Sequence, residues 1–227
     1  MKPALAKAPE NNSLEDLGRA TLQIVHDLKN QLNGFKLYAT FLRKSLEGYD
    51  SLKEERQILA KLIAGIDRAA MDTTALVRYA RPIELRCQPH IDLQKLTIDA
   101  AQAASAAISS DLAPLTVETE SGPLAGVFDT AALSEALTTL TGQAMGSRSR
   151  EDMSSVSLHL GRVEAALSAE ALVEWRGVKP DTREPRAQSL YGNASVHAAL
   201  AVRIIEAHGG RVEYGANTIR AWLPLSG

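Results

Sequence analysis

The stretch "LQIVHDLKNQLNGFKLYATFLRK", residues 22–44, contains no proline and is rich in leucine, lysine and glutamine, so it reads as helix along its whole length. Apolar or small residues recur at Leu14, Leu17, Thr21, Ile24, Leu28, Leu32, Phe35, Ala39, Leu42 and Leu46. Steps of three and four residues are the seam of a helix bundle. Ser13, with Asp16 three positions on, is placed to cap the start. Gly48 in "EGYDS" is placed to end it. A second seam, Leu59, Leu62, Ile66, Ala69, Thr73, Leu76 and Ala80, stops at Pro82. Two long helices with a short connection form an antiparallel hairpin. Leu22, Val25, Leu37, Tyr38 and Phe41 on the first helix, and Ile58, Ile63 and Val77 on the second, lie off these seams. An apolar arc this wide is covered by pairing two hairpins into a dimeric four-helix bundle, or by the rest of the chain folding back.

The whole chain bounds the possibilities. Its 227 residues are 45% hydrophobic and 23% charged, an ordinary globular composition that suits one large domain or two small ones. Aromatics are 4%, so Leu, Ile, Val and Ala must build the core. A net charge of −2 supplies no basic field for nucleic acid or anionic lipid. No apolar run approaches the roughly 18–20 residues of a membrane span. The lone Cys87 excludes an internal disulfide and fits a reducing cytoplasm.

Residues 1–12 read as a loose tail and 13–82 as the hairpin. From 83 to 227 the pattern is mixed. "IELRCQPHIDL" (83–93) contains a short strand, and 92–109 is a helix. "LTVETE" and "LAGVF" are short strands around the turn "SGP" (121–123). Asp129 caps a helix over 129–145, and strands follow at 153–164 and 168–177. A Pro-rich, charged loop spans 178–194. A helix over 195–210 ends at two glycines, and "RVEYGANTIRAWLPL" is a hairpin around "GAN". The expected fold class is α+β, with helices on one face of a mixed sheet.

"HDLKNQL" (26–32) resembles the phosphoacceptor box of sensor histidine kinases, and "AVRIIEAHGGRVEYGANTIRAWLPL" (201–225) resembles the end of that family's ATP-binding domain. The order of the elements between them also matches, so the resemblance spans about residues 13–227. It implies a dimerising hairpin whose histidine accepts a phosphoryl group, followed by an ATPase-like sandwich. The departures from the family pattern fall on its nucleotide contacts. Thr139 and Gln143 stand where the family's helix carries asparagines for magnesium and phosphate. With Gly177 aligned, Trp175 stands at the aspartate that reads the adenine amino group, and an indole cannot accept that hydrogen bond. Three glycines of the phosphate loop fall on Asn193, Ser195 and His197, whose side chains obstruct close backbone approach.

His26 is therefore the candidate phosphoacceptor, its ring directed away from the seam between Ile24 and Leu28. A solvated helix histidine is the alternative. Neutral imidazole, with an ordinary pKa of about 6.5, is a competent nucleophile. The resemblance makes Asp27 its acid/base or orienting partner. Asn30 is one turn on, on the same face, where it positions a water or shapes the docking surface. Lys29, Asn33 and Lys36 are candidate contacts for an acidic partner. Phe35, Tyr38 and Phe41 offer an aromatic patch or bundle core. His90, His159, His197 and His208 show no metal-like spacing and read as structural.

These readings imply a dimeric histidine phosphotransferase of a phosphorelay, similar to the ChpT-type and sporulation-type proteins. It works between response-regulator receiver domains and holds no cofactor of its own; magnesium arrives with the receiver. The alternatives are a sensor kinase core with a divergent ATP site and a non-catalytic dimeric module that binds receivers.

Overall fold

The computed structural model describes residues 9–47, 52–107, 115–120, 122, 124–146, 155–164, 169–178 and 193–226. Residues 1–8, Gly48, Ser121, Pro123 and most of the expected 178–194 loop lie outside them. The chain divides into two compact units, Met1–Arg81 and Pro82–Gly227.

The first unit is a pair of packed helices, α1 (Pro9–Ser45) and α2 (Lys53–Ala80). Helix α1 begins at Pro9, whose fixed φ suits a first turn, so Ser13 sits one turn inside the helix and not at its start. Residues 9–12 are thus helical and not tail. Helix α2 carries Glu54 and Glu55 in its first turn and Arg78 in its last, both favourable to the helix dipole. It ends where Pro82 forces its predecessor out of the helical region: Arg81 is extended, with φ −98° and ψ 155°.

The face that α1 turns to α2 differs from the expected seam. Leu22, Val25, Lys29, Leu32 and Ala39 are half-buried or buried. Ile24, Leu28, Phe35 and Leu42, all expected in the seam, are 47–68% exposed. Lys36 lies on the inner stripe and pairs with Asp67 of α2 at 2.7 Å. On α2, Ile63 is buried while Ile58 and Leu62 are exposed. Two stripes share each helix, about a quarter turn apart, and α2 covers only one of those on α1.

The second unit is α+β. Strands β2 (Thr116–Thr119), β4 (Ser157–Glu164), β5 (Ala169–Arg176), β6 (Arg211–Tyr214) and β7 (Thr218–Pro224) form a sheet in the order β2-β4-β5-β7-β6. The β2–β4 pair is parallel and the others are antiparallel. Helices α3 (Leu93–Ala107), α4 (Thr130–Gly146) and α5 (Asn193–Ala207) pack side by side, α4 in the middle. Leu158, Leu160, Ala171, Val173, Trp175, Ile219, Ala221 and Leu223 alternate along the strands and are fully buried, so one sheet face meets the core. Strands β1 (Gln88–Asp92) and β3 (Ala125–Phe128) form a separate antiparallel pair.

The two short strands around "SGP" form as expected but do not pair with each other. Strand β2 joins β4 and β3 joins β1. Phe128 explains the choice: it is completely buried, beside the His208 ring, and lies over Gly126, where a Cβ would collide with it. Strand β3 is held by this anchor and leads straight into α4.

The caps are tight. Asp129 Oδ1 accepts the Ala132 N–H (3.0 Å) and Oδ2 accepts the Arg86 N–H (2.8 Å), which hold its carboxyl below the usual range. Helix α5 closes in a Schellman motif: Gly210 N–H reaches Ile205 C=O (3.0 Å) and Gly209 N–H reaches Glu206 C=O (2.9 Å). Gly209 has φ +77°, and a Cβ on Gly210 would strike the Trp222 carbonyl.

The outer sheet face is polar. Glu174, nearly buried, accepts from Arg176 and Arg220 at 2.6 Å each. Burial acts to raise its pKa, but the hydrogen bonds and charges of the two arginines outweigh it and hold it below the ordinary 4.5. A depressed carboxylate contributes stability that is present above its unfolded pKa and lost as pH falls through the folded one. The Tm gap between wild type and Glu174→Gln is therefore expected to be constant near neutrality and to shrink below about pH 4.5. Thermal melts across pH 3–7 check this; a gap that stays constant to pH 3 would contradict it.

Candidate functional site

His26 lies on α1 with 64% of its side chain exposed. Its Nδ1 faces two groups: the Asn30 amide nitrogen at 3.4 Å and Asp27 Oδ1 at 3.6 Å. Both contacts are made at Nδ1, on a ring that is mostly exposed. The two contacts ask opposite things of the ring. An amide N–H directed at Nδ1 needs a lone pair there, which puts the proton on Nε2. A carboxylate at Nδ1 favours Nδ1–H and leaves the Nε2 lone pair free to attack. Asp27 Oδ1 also accepts a hydrogen bond from Gln23 Nε2 at 3.1 Å.

Helical spacing sets His26, Asn30, Asn33, Leu37 and Phe41 along one face, in steps of three and four. Asn33, Leu37 and Phe41 are exposed, as are Phe35 and Tyr38. None of the three aromatics is covered by its own hairpin. Lys29 is half-buried on the stripe facing α2, and Lys36 is engaged by Asp67. Gln23 and Asp67 were missed in the sequence reading. The first was recoverable as a polar residue four before Asp27; the second depends on the helix pairing.

In the second unit, Thr139 and Gln143 are half-buried on α4. The Tyr214 hydroxyl donates to Gln143 Oε1 at 3.4 Å. Desolvation pushes the Tyr214 phenol up to about 12, although the bond to Gln143 works the other way. Trp175 is 0% exposed, and its Nε1–H donates to Thr141 Oγ1 at 3.0 Å. The indole thus lies inside the core. Gly177 keeps a left-handed φ of +79°. Ser195 and His197 lie in α5 as expected, and Asn193, expected in the preceding loop, also falls inside it, because α5 starts two residues earlier than the sequence suggests.

The other histidines have local roles. The His208 Nδ1–H donates to the Ile204 carbonyl (2.7 Å), and Nε2 accepts from the Asp129 N–H (3.0 Å), which fixes the ring's orientation in the core. His159 Nε2 is 3.6 Å from Glu120. His90 sits at a bulge in β1 with φ +58°. Cys87 is exposed. Among the described residues no cluster of three His, Cys, Asp or Glu side chains is placed to hold a metal. No described helix is long and apolar enough to cross a membrane.

Full-length ShkA, solved in complex with AMPPNP, matches 91% of this chain with a TM-score of 0.65 at 19% identity. The chain has a histidine-kinase-like fold. Histidine kinase ThkA in complex with response regulator protein TrrA matches 96% of the chain, with a TM-score of 0.56 and 16% identity. Histidine kinase AdeS of Acinetobacter baumannii matches 89%, with a TM-score of 0.54 and 13% identity. The chain spans 45% of the length of ShkA, 64% of that of ThkA and 98% of that of AdeS. No family model matches the sequence, and no curated protein matches it.

Within this histidine-kinase-like fold, the Trp175–Thr141 bond is the sharpest local constraint. Trp175→Phe keeps most of the ring volume and strands the Thr141 hydroxyl in the core. Urea denaturation is expected to show a loss of about 1–3 kcal/mol, and an unchanged midpoint would refute the bond's contribution.

Proposed function

We propose that this chain is a dimeric histidine phosphotransferase of a two-component relay. It carries phosphoryl groups between receiver-domain aspartates through His26, in the cytoplasm, without drawing on ATP. The observation that carries this reading is a contrast between the two units. The candidate nucleophile is open to solvent, while Trp175, aligned with the adenine-reading acceptor, is a buried donor already engaged by Thr141. Gln143 is occupied by Tyr214, and the positions aligned with the phosphate-loop glycines carry side chains within α5. These residues do not fit a nucleotide. That ThkA was solved with a response regulator supports a receiver as partner.

The residues of the hairpin account for the chemistry. The Nε2 lone pair attacks the phosphorus of the receiver's aspartyl phosphate. The N–P bond forms, the P–O bond to the aspartate breaks, and the carboxylate leaves with the electron pair. Positive charge accumulates on the ring, and Asp27, beside Nδ1, stabilises it. The step runs backwards onto the second receiver. Magnesium, which this chain does not hold, would arrive with the receiver and supply charge neutralisation at the phosphoryl oxygens. Asn30 positions a water or the partner, and Lys29 and Asn33 contribute to docking. Lys36, already paired with Asp67, contributes less. Helices α1 and α2 form the phosphotransfer hairpin, and residues 83–227 a degenerate ATPase-like domain that supports docking.

Incubation with a panel of phosphorylated receivers is expected to place acid-labile, alkali-stable label on wild type and none on His26→Ala. Label on His26 from ATP and magnesium alone would overturn the reading in favour of a kinase. Binding without any transfer would favour a non-catalytic module.

The exposed Ile24, Leu28, Phe35 and Leu42 stripe, with Ile58 and Leu62, supports a second copy as its cover. Light scattering is expected to give twice 24.4 kDa for wild type and the single mass for Leu28→Glu/Phe35→Glu. A wild-type monomer would remove the dimer from the reading.

A further inference from the structure

We infer that Gln23 is a positioning residue for His26, holding the Asp27 carboxylate against the ring so that the proton stays on Nδ1 and Nε2 keeps its lone pair as the nucleophile. The inference rests on the phosphotransfer reading for its functional meaning, though not for its geometry.

Neighbouring residues on a helix point about 100° apart, so a carboxylate at i+1 does not by itself face a ring at i. Asp27 nevertheless brings Oδ1 to 3.6 Å from His26 Nδ1. The contact has a visible cause. On the helical wheel Gln23 falls between His26 and Asp27, one turn toward the N-terminus, and its amide N–H grips that same Oδ1 at 3.1 Å. The pull draws the carboxylate toward the ring side. Asn30 falls in the same sector one turn later, with its amide nitrogen at 3.4 Å from Nδ1. The four side chains thus form a chain along one face, Gln23–Asp27–His26–Asn30, with Gln23 and Asn30 acting in opposite senses. The Asn30 amide donor favours the tautomer with Nε2–H, which cannot attack. The Asp27 carboxylate favours the tautomer with Nδ1–H, which can. Gln23 has no contact with the reacting atoms; it acts only by setting where Asp27 stands.

The test reads the tautomer directly. The full-length chain, with 15N-labelled histidine, is studied at about pH 9, where imidazole is neutral. Gln23→Met keeps the stem and removes the donor. It is expected to lower the Nδ1–H fraction of His26 severalfold with unchanged helix content by circular dichroism. Gln23→Lys, which keeps an N–H donor, is expected to restore it. In an Asp27→Asn background, Gln23→Met is expected to change nothing. Asn30→Ala is expected to raise the Nδ1–H fraction. Transfer from a phosphorylated receiver is expected to fall about tenfold in Gln23→Met, less than the roughly hundredfold or more that a positioned acid/base group supplies, because Asp27 is displaced and not removed. An unchanged tautomer ratio in Gln23→Met with Asp27 intact would overturn the inference. The spectra need no phosphoryl donor, so the two readings fail separately. A shifted tautomer on a histidine that never takes label sinks the phosphotransfer reading alone; a labelled histidine with an unshifted tautomer sinks this one alone.

Discussion

A buried indole N–H must find an acceptor, and Trp175 finds Thr141. The bond joins the middle strand of the five-stranded sheet to the middle one of the three helices. Leu137 and Leu140 on α4, Leu158 on β4 and Ile219 on β7 complete a core with no exposed side chain among them. In this arrangement the strand end around Trp175 belongs to the interior. The consequence reaches α4, where Thr141 is held by Trp175 and Gln143 by Tyr214. Both contacts tie α4 to the sheet on which it packs.

The hairpin follows a different logic. Each helix carries more apolar surface than one neighbour covers. Helix α1 uses Leu22, Val25, Leu32 and Ala39 against α2 and leaves Ile24, Leu28, Phe35 and Leu42 bare. Periodicity of three and four was visible in the sequence, yet it fits either stripe. An ion pair that favours the choice, Lys36 to Asp67, joins residues on different helices and leaves no trace in the spacing of either. The hairpin was therefore legible and its inner face was not.

Elements set by local chemistry were legible in the same way. The double glycine after α5 announced its Schellman end, "GAN" its hairpin, and Asp129 its cap. Strands β2 and β3 do not pair with each other because a short turn permits a hairpin without requiring one, and Phe128 obtained more by entering the core. At the site, His26, Asp27 and Asn30 could be brought together from spacing alone. Gln23 obeyed the same rule but carried no charge to draw notice. Thr141 could not have been named, since its partner lies 34 residues away and only the fold brings them together.

The tie between His208 and Asp129 spans 79 residues of chain. Closing so long a segment costs backbone entropy before any contact returns it, whereas the α1–α2 hairpin needs only a short connection. The two units should therefore gain structure in order, the hairpin early and the His208 junction late. Pulsed hydrogen exchange would see this as protection at Ile63 preceding protection at Asp129, and the reverse order would exclude it. On a growing chain, the helix carrying His26 would be shaped before the segment carrying His208 had been made.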